Sequence, residues 1–500
     1  MKRLILAAAV LVGLAAPATA QTVLRIGLGA DPDTLDPTLS RTVASRQVFA
    51  ALCDKLVDIN EKLEIVPQLA TSWEWSNEGR TLTLKLRSGV IFHDGEKMDA
   101  AAVKASLDRH LTMPGSTRRN EMGPVKEITA TAPDTVTIEM NQPFAPLVAA
   151  LADRAGMIMS PKAIAALGDK FTNAPVCAGP FKFVRRVAQD RVELEKFAGY
   201  WDAASIHFDR IIYLPISENT VRLNNLRANS LDLIEAVLPS DVADLKKDTR
   251  VKIAKGASLS ATYLVFNVGN GAAAQAPINK NQKLRAALDW AIDREALVQV
   301  LSDGEYVPGN QSVAPGTTFY TKSIPVPKRD VAKAKALIKE AGFDRVKVHM
   351  TVPNSTEFKQ AAEILQGMLA EANIDLELQL VETNTALAEW TAGKFESLII
   401  LWSGRVDIDA NIYAFKACDG ALNGGKYCNQ EVDKALKDGR GRVYLPARLN
   451  AYDAAAKIYL EERPYIYLFH RTSIFGMTAK LDGFRVIPDG LMRVQGLKFK

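Results

Sequence analysis

A chain of 500 residues in which 48% are hydrophobic and 24% charged can fill large cores, which excludes a disordered or fibrous protein and makes more than one domain the expectation. The net charge of +5 falls to +3 once Lys2 and Arg3 are discounted with the leader described next. So small and dispersed an excess excludes nucleic acid as a partner.

Residues 1–20 carry Lys2 and Arg3, then an apolar run over 4–16, then the small residues Ala18, Thr19 and Ala20. This is the layout of a secretory signal peptide. The run is too short for a membrane-spanning helix, which needs about 20 apolar residues, and no Cys follows the cleavage point to take a lipid. A mature chain beginning near Gln21 is therefore expected to be soluble in the periplasm. Four cysteines fit an oxidising compartment. Cys418 and Cys428 bracket a short Gly-rich loop and are expected to pair. Cys53 and Cys177 either pair with each other, which requires the fold to bring distant segments together, or stay as buried thiols.

In chain order, residues 22–29 read as a strand, followed by a loop because Pro32 and Pro37 bar regular structure. Strands are predicted at 81–86, 134–140 and 191–197, and Asp99 is placed to cap a helix running to about Leu111. From about residue 279 the texture changes to long helices, beginning with a helical apolar period over 281–301. A second helix starts at Asp330 and stops at Gly342. Strand 346–352, helix 356–372 and strand 374–381 then form a βαβ unit, which predicts parallel strands and a right-handed crossover. Residues 398–401 (Leu-Ile-Ile-Leu) read as a strand buried on both faces. The polar run that follows contains Trp402, Ser403, Gly404, Arg405, Asp407 and Asp409. Ligands of open α/β sheets bind just beyond the carboxyl ends of such strands, so this run is the predicted site.

Enzyme motifs appear only in part. Gly420, Gly425 and Lys426 copy the spacing of a phosphate loop, but Tyr427 stands where a Ser or Thr is needed. Gly27 and Gly29 lack the third glycine of a dinucleotide fingerprint and run into Pro32. The histidines at 93, 110, 207, 349 and 470 are scattered, and His93 with Asp94 falls in a turn. No catalytic residue, metal site or cofactor is expected.

The segment 69–109, from LTLKLR through GVIFHDG into the helix after Asp99, resembles the signature region of family 5 solute-binding proteins of ABC transporters, the peptide, dipeptide and nickel-type binding proteins. LDP at 35–37, AGPF at 178–181, YLVFN at 263–267, KAKALIKEAGF at 333–343 and WSGR at 402–405 follow in the family's order. The resemblance implies an α/β, two-lobed periplasmic binding protein fold (type II, cluster C-like) with an extra subdomain in lobe one. By analogy, 21–60, 175–267 and 470–500 make the core of lobe one, 61–174 the extra subdomain, and 268–469 lobe two. The subdomain is expected to be a hallmark of the family rather than a reader of ligand.

In peptide-binding relatives an Asp in the stretch after the Trp of the buried strand holds the ligand's amino group. Arg405 stands at the matching position, and its planar fork suits an anion instead. Arg405 either meets the solute or pairs internally with Asp407 or Asp409. Trp402 is expected to supply an aromatic wall beside Ser403, Gly404 and Asp407. Asp31, Ala178, Gly179 and Asn267 match positions that line or border the family's cleft, and Asn354 follows another parallel strand. The function implied is the periplasmic substrate-binding component of an ABC importer, a monomer that captures a small organic solute, one bearing an anionic group, and delivers it to the membrane permease and ATPase. A di- or oligopeptide binder, a sensing receptor and a secreted hydrolase are the competing readings.

Overall fold

The computed structural model describes residues 21–500, so the leader read at 1–20 lies outside the described residues. Three sheets organise the chain. The strand Val23–Leu28 lies inside a seven-stranded sheet, parallel to Arg210–Pro215 on one side and to Leu233–Ile234 on the other. Leu24, Ile26 and Leu28 pack with Phe49, Leu52, Phe181 and Tyr213 into one core. This is the first lobe.

The second lobe is built on a six-stranded sheet ordered Val307–Pro308, Tyr465–His470, Ala261–Phe266, Ser397–Trp402, Val346–Pro353 and Ile374–Val381. The predicted βαβ unit is present: Val346–Pro353 and Ile374–Val381 pair in parallel, joined by the helix Thr356–Ala370. Ser355 caps that helix by accepting from the Phe358 N–H. The strand containing residues 398–401 differs from expectation. It is parallel to Val346–Pro353 but antiparallel to Ala261–Phe266, and only its first three residues are buried. The helical period over 281–301 also divides, into Gln282–Ala291 and Arg294–Ser302. Ile292 is extended and the Asp293 carboxylate accepts from the Ala296 N–H, so the second helix begins on its own cap.

Residues 70–140 form a separate four-stranded antiparallel sheet, and the helix Ala100–Thr112 packs against it over Leu82, Leu84, Val136 and Ile138. The Asp99 side chain accepts from the Ala102 N–H at 2.9 Å, as its position predicted. Cys53 and Cys177 form a disulfide (Cα–Cα 4.9 Å), as do Cys418 and Cys428 (4.5 Å). The first ties the end of the helix Val43–Leu52 to the segment entering the strand Phe181–Val187.

The chain crosses between the lobes twice, at 258–260 and at Arg471. The two crossings run side by side, since Ala257 pairs with Thr472 in one sheet and Thr262 with Phe469 in the other. Between them His470 Nδ1 lies 2.9 Å from the Ser260 carbonyl oxygen. Burial pushes the His470 ring down to about 4, so it is neutral there. Two short adjacent connections of this kind make a hinge.

Candidate functional site

Beyond Trp402 the chain turns sharply, and one buried amide holds the turn. Asn411 Oδ1 accepts from Trp402 Nε1 (2.8 Å) and from the Arg405 N–H (2.7 Å), while its Nδ2 donates to the Arg405 carbonyl oxygen (2.7 Å). Gly404 has φ +79, and a Cβ there would meet the Leu259 carbonyl oxygen at 2.1 Å. Only glycine combines that backbone with that approach. Asp407 Oδ1 accepts from the N–H of Asp409, the first residue of the helix Asp409–Lys416.

The Arg405 side chain is thereby fixed at a cavity wall. Its Nη1 donates to the Gly404 carbonyl (2.7 Å) and to Ser403 Oγ (3.3 Å), and its guanidinium lies 4.7 Å from the centre of the Trp402 ring. Neither Asp407 nor Asp409 is its partner. Asp407 is gripped by both arms of Arg448 (2.7 and 2.6 Å), and Asp409 takes Arg440 (2.9 Å) and the Tyr452 hydroxyl (3.0 Å). The carboxylate near Arg405 is Asp153, 3.7 Å away and contributed by the 61–174 segment.

Asp153 sits among arginines. Arg46 approaches it at 3.1 Å and Arg154 at 3.7 Å. Arg118 and Arg154 both donate to the Ser40 carbonyl, and Arg118 pairs with Glu121 at 2.7 Å. Burial alone would raise the Asp153 carboxyl, but Arg46, then Arg154 and Arg405, hold it well below its usual range. Arg154 is pushed down to about 9, chiefly by burial, and Arg405 is pushed down by burial and then by Arg46. The cluster is short of negative charge.

Arg46, Glu121, Asp153 and Arg405 border a cavity of ≈ 1080 Å³ that takes its walls from the first lobe (Arg46), the 61–174 segment (Glu121, Phe144, Asp153) and the second lobe (Trp402, Arg405). At its edge the lobes touch. The Ala145 N–H donates to the Arg440 carbonyl (2.9 Å), and the Arg440 guanidinium stacks on Tyr413 at 3.4 Å. The volume suits a small organic solute.

Of the residues singled out in the sequence, Trp402, Gly404, Arg405, Asp407 and Asp409 line this cavity. The others do not. Asp31 is engaged with Arg186 at 2.7 Å. Ala178 packs in the core of the 61–174 segment, and Gly179 is pressed against the backbone of Leu52 and Cys53. Asn267 is wholly buried and ties a loop, donating to the carbonyls of Asn270, Gly393 and Phe395. Asn354 ends a sheet pairing through its N–H to Val381. Ser403 serves Arg405 rather than the cavity. The 61–174 segment, expected to be no ligand reader, supplies a wall. Arg46, Glu121, Asp153, Tyr413 and Arg440 were not singled out, because no local spacing marks them.

The description "Bacterial extracellular solute-binding proteins, family 5 Middle" matches residues 64–423. The chain is 29% identical over 478 residues to the Glutathione-binding protein GsiB of Escherichia coli O1:K1 / APEC, spanning 93% of this chain and 92% of that one. It superposes at a TM-score of 0.84 on the ABC transporter-associated periplasmic binding protein DppA from Helicobacter pylori in complex with peptide STSA, with 25% identity over 96% of this chain and 98% of that one. The PBP AgaA in complex with agropinic acid from A.tumefacien R10 gives 0.82, with 26% identity over 96% and 99%.

Proposed function

The chain belongs to the bacterial extracellular solute-binding proteins of family 5, and from that membership and the chemistry of its cleft we propose that it captures a small anionic organic solute between its lobes for delivery to the permease and ATPase of an ABC importer. The proteins it resembles are binding proteins of such transporters rather than enzymes. The periplasm is its proposed place of work, supported by relatives described as periplasmic and by two disulfides. It acts by binding, with no reaction on the solute.

One observation carries the choice of an anion. Arg405, where peptide-binding relatives are expected to carry an Asp, faces the cavity from a loop that fixes its backbone, amid arginines that outnumber their carboxylates. Glutathione and agropinic acid, named for two of the relatives, are carboxylic acids. A solute touching both lobes favours the form in which they meet, which is the form an importer can read.

Native mass spectrometry of protein taken from its own periplasm identifies the solute, and calorimetric titration of Arg405→Ala with that compound tests the site. A lost charge-assisted hydrogen bond amounts to about 1.5–3 kcal/mol, so a drop in affinity of roughly 10- to 100-fold is expected. Unchanged affinity removes Arg405 from the site. The peptide reading has one observation in its favour. Asp419 lines the same cavity, accepts from the Tyr413 hydroxyl at 3.0 Å and has no ion pair among the described residues, so an ammonium would complete it. Titration with dipeptides and with their N-acetyl forms decides between the two: binding that acetylation abolishes favours the peptide.

A further inference from the structure

The guanidiniums around Asp153 belong to two different lobes, and their count does not balance. Arg46 comes from the helix Val43–Leu52, while Arg118 and Arg154 come from the 61–174 segment. Their side chains are 6%, 2% and 2% exposed. Asp153 and Glu121 are the only carboxylates paired with them among the described residues, so this side holds one surplus positive charge. Arg405, 20% exposed, is brought from the second lobe and makes the surplus two. Of the other acids bordering the cavity, Asp407 is matched by Arg448, Asp409 by Arg440 and Asp489 by Arg493, whereas Asp419 has no ion pair among the described residues and reaches none of these four guanidiniums. Arg119, which also borders the cavity, is exposed and adds positive charge at its mouth.

We propose that the cleft takes a solute presenting two carboxylates at one end, and that these two negative charges are what allows the lobes to meet across Arg405. This rests on the reading that Arg405 contacts the solute's anionic group. Buried charge without a counter-charge is unstable. As the lobes approach, a fourth guanidinium enters a site that already has one too few anions. Arg46 and Arg118, which do not come from the second lobe, both act against the charge on Arg405, whereas Asp153 alone among the carboxylates comes within 4 Å of it. A monoanion leaves one charge unmatched, and a dianion leaves none. Two separate guanidiniums border the cavity, Arg46 from the first lobe and Arg405 from the second, with Asp153 Oδ2 shared between them, which suits two carboxylates rather than one.

Small-angle X-ray scattering on the mature protein, freed of solute by unfolding and refolding, tests this. Wild type is expected open, and Arg405→Gln more compact in the same buffer, because neutralising the fourth guanidinium removes the repulsion. Arg405→Lys keeps the charge and is expected to stay open. On wild type, which needs no variant to fold, succinate is expected to cause compaction at about tenfold lower concentration than succinamate, its monoanionic amide. An Arg405→Gln protein as open as wild type, or equal responses to the two probes, overturns the proposal. Calorimetry separates it from the reading beneath it. Weak solute binding by an Arg405→Gln that stays open sinks only the charge requirement, and undiminished binding by Arg405→Gln sinks the anion site itself.

Discussion

Asn411 and Lys416 lie on one short helix and act in opposite senses. Asn411 satisfies Trp402, Arg405 and Asp407 at once. Asn411→Ala strands a backbone N–H, two carbonyls and an indole N–H, and each loss of this kind in a buried site amounts to about 1–3 kcal/mol. We expect a lower urea midpoint by that order, together with weaker solute binding because the Arg405 backbone is no longer fixed. Lys416 is 1% exposed and surrounded by rings, with Tyr465 at 4.4 Å, Tyr459 at 5.1 Å and Tyr467 at 5.4 Å. No ion pair reaches it among the described residues, and burial pushes its ammonium from 10.5 down to about 7. The unfolded chain therefore holds a proton at Lys416 that the folded one has released between about pH 7 and 10.5. Stability contributed here rises with pH through that window and is lowest below it. The rings offset part of the penalty. Lys416→Met is expected to be more stable than wild type at pH 6, by a few kcal/mol at most. The difference should shrink when the urea curves are repeated at pH 9. Trp402 and Arg405 were legible in the sequence because they follow a buried strand directly. Arg46 and Asp153 were not, since they lie 107 positions apart and approach each other only once the chain between them has folded.

The two disulfides close loops of very different length. Cys53 and Cys177 are 124 residues apart, and Cys418 and Cys428 only 10. Loop-closure entropy predicts that replacing the long-range pair by alanines destabilises more, within a range of about 2–5 kcal/mol. Chemical unfolding of the two double-alanine proteins, compared with wild type, checks the order. The same contrast between local and distant governs what could be read in advance. The short pair was legible from its Gly-rich loop, whereas the long pair depended on the fold and stayed open. The βαβ unit was legible because its apolar periods change from strand to helix and back within one short stretch that begins just after Gly342. The break in the helix over 281–301 was missed, because Ile292 and Ala291 continue the apolar period while Asp293 resets the backbone as a cap. The strand Ser397–Trp402 was found, but its mixed pairing was not, since its antiparallel neighbour comes from more than 130 residues earlier.

At the scale of the molecule, the two lobes were legible only through the family pattern. Hydrophobic periods reveal strands but not which sheet receives them, and this chain assigns strands to its sheets out of order. The seven-stranded sheet takes Thr472–Thr478 between Val251–Ala257 and Leu233–Ile234, in its interior rather than at an edge. That placement gives assembly a direction. Every strand of the six-stranded sheet has been delivered once His470 is reached. The other sheet, which holds the first residues described, has a gap until the chain has run past Thr478. For a polypeptide that emerges N-terminus first, the sheet holding Val23–Leu28 is thus the last to be finished. The sheet that opens the chain is closed by its tail.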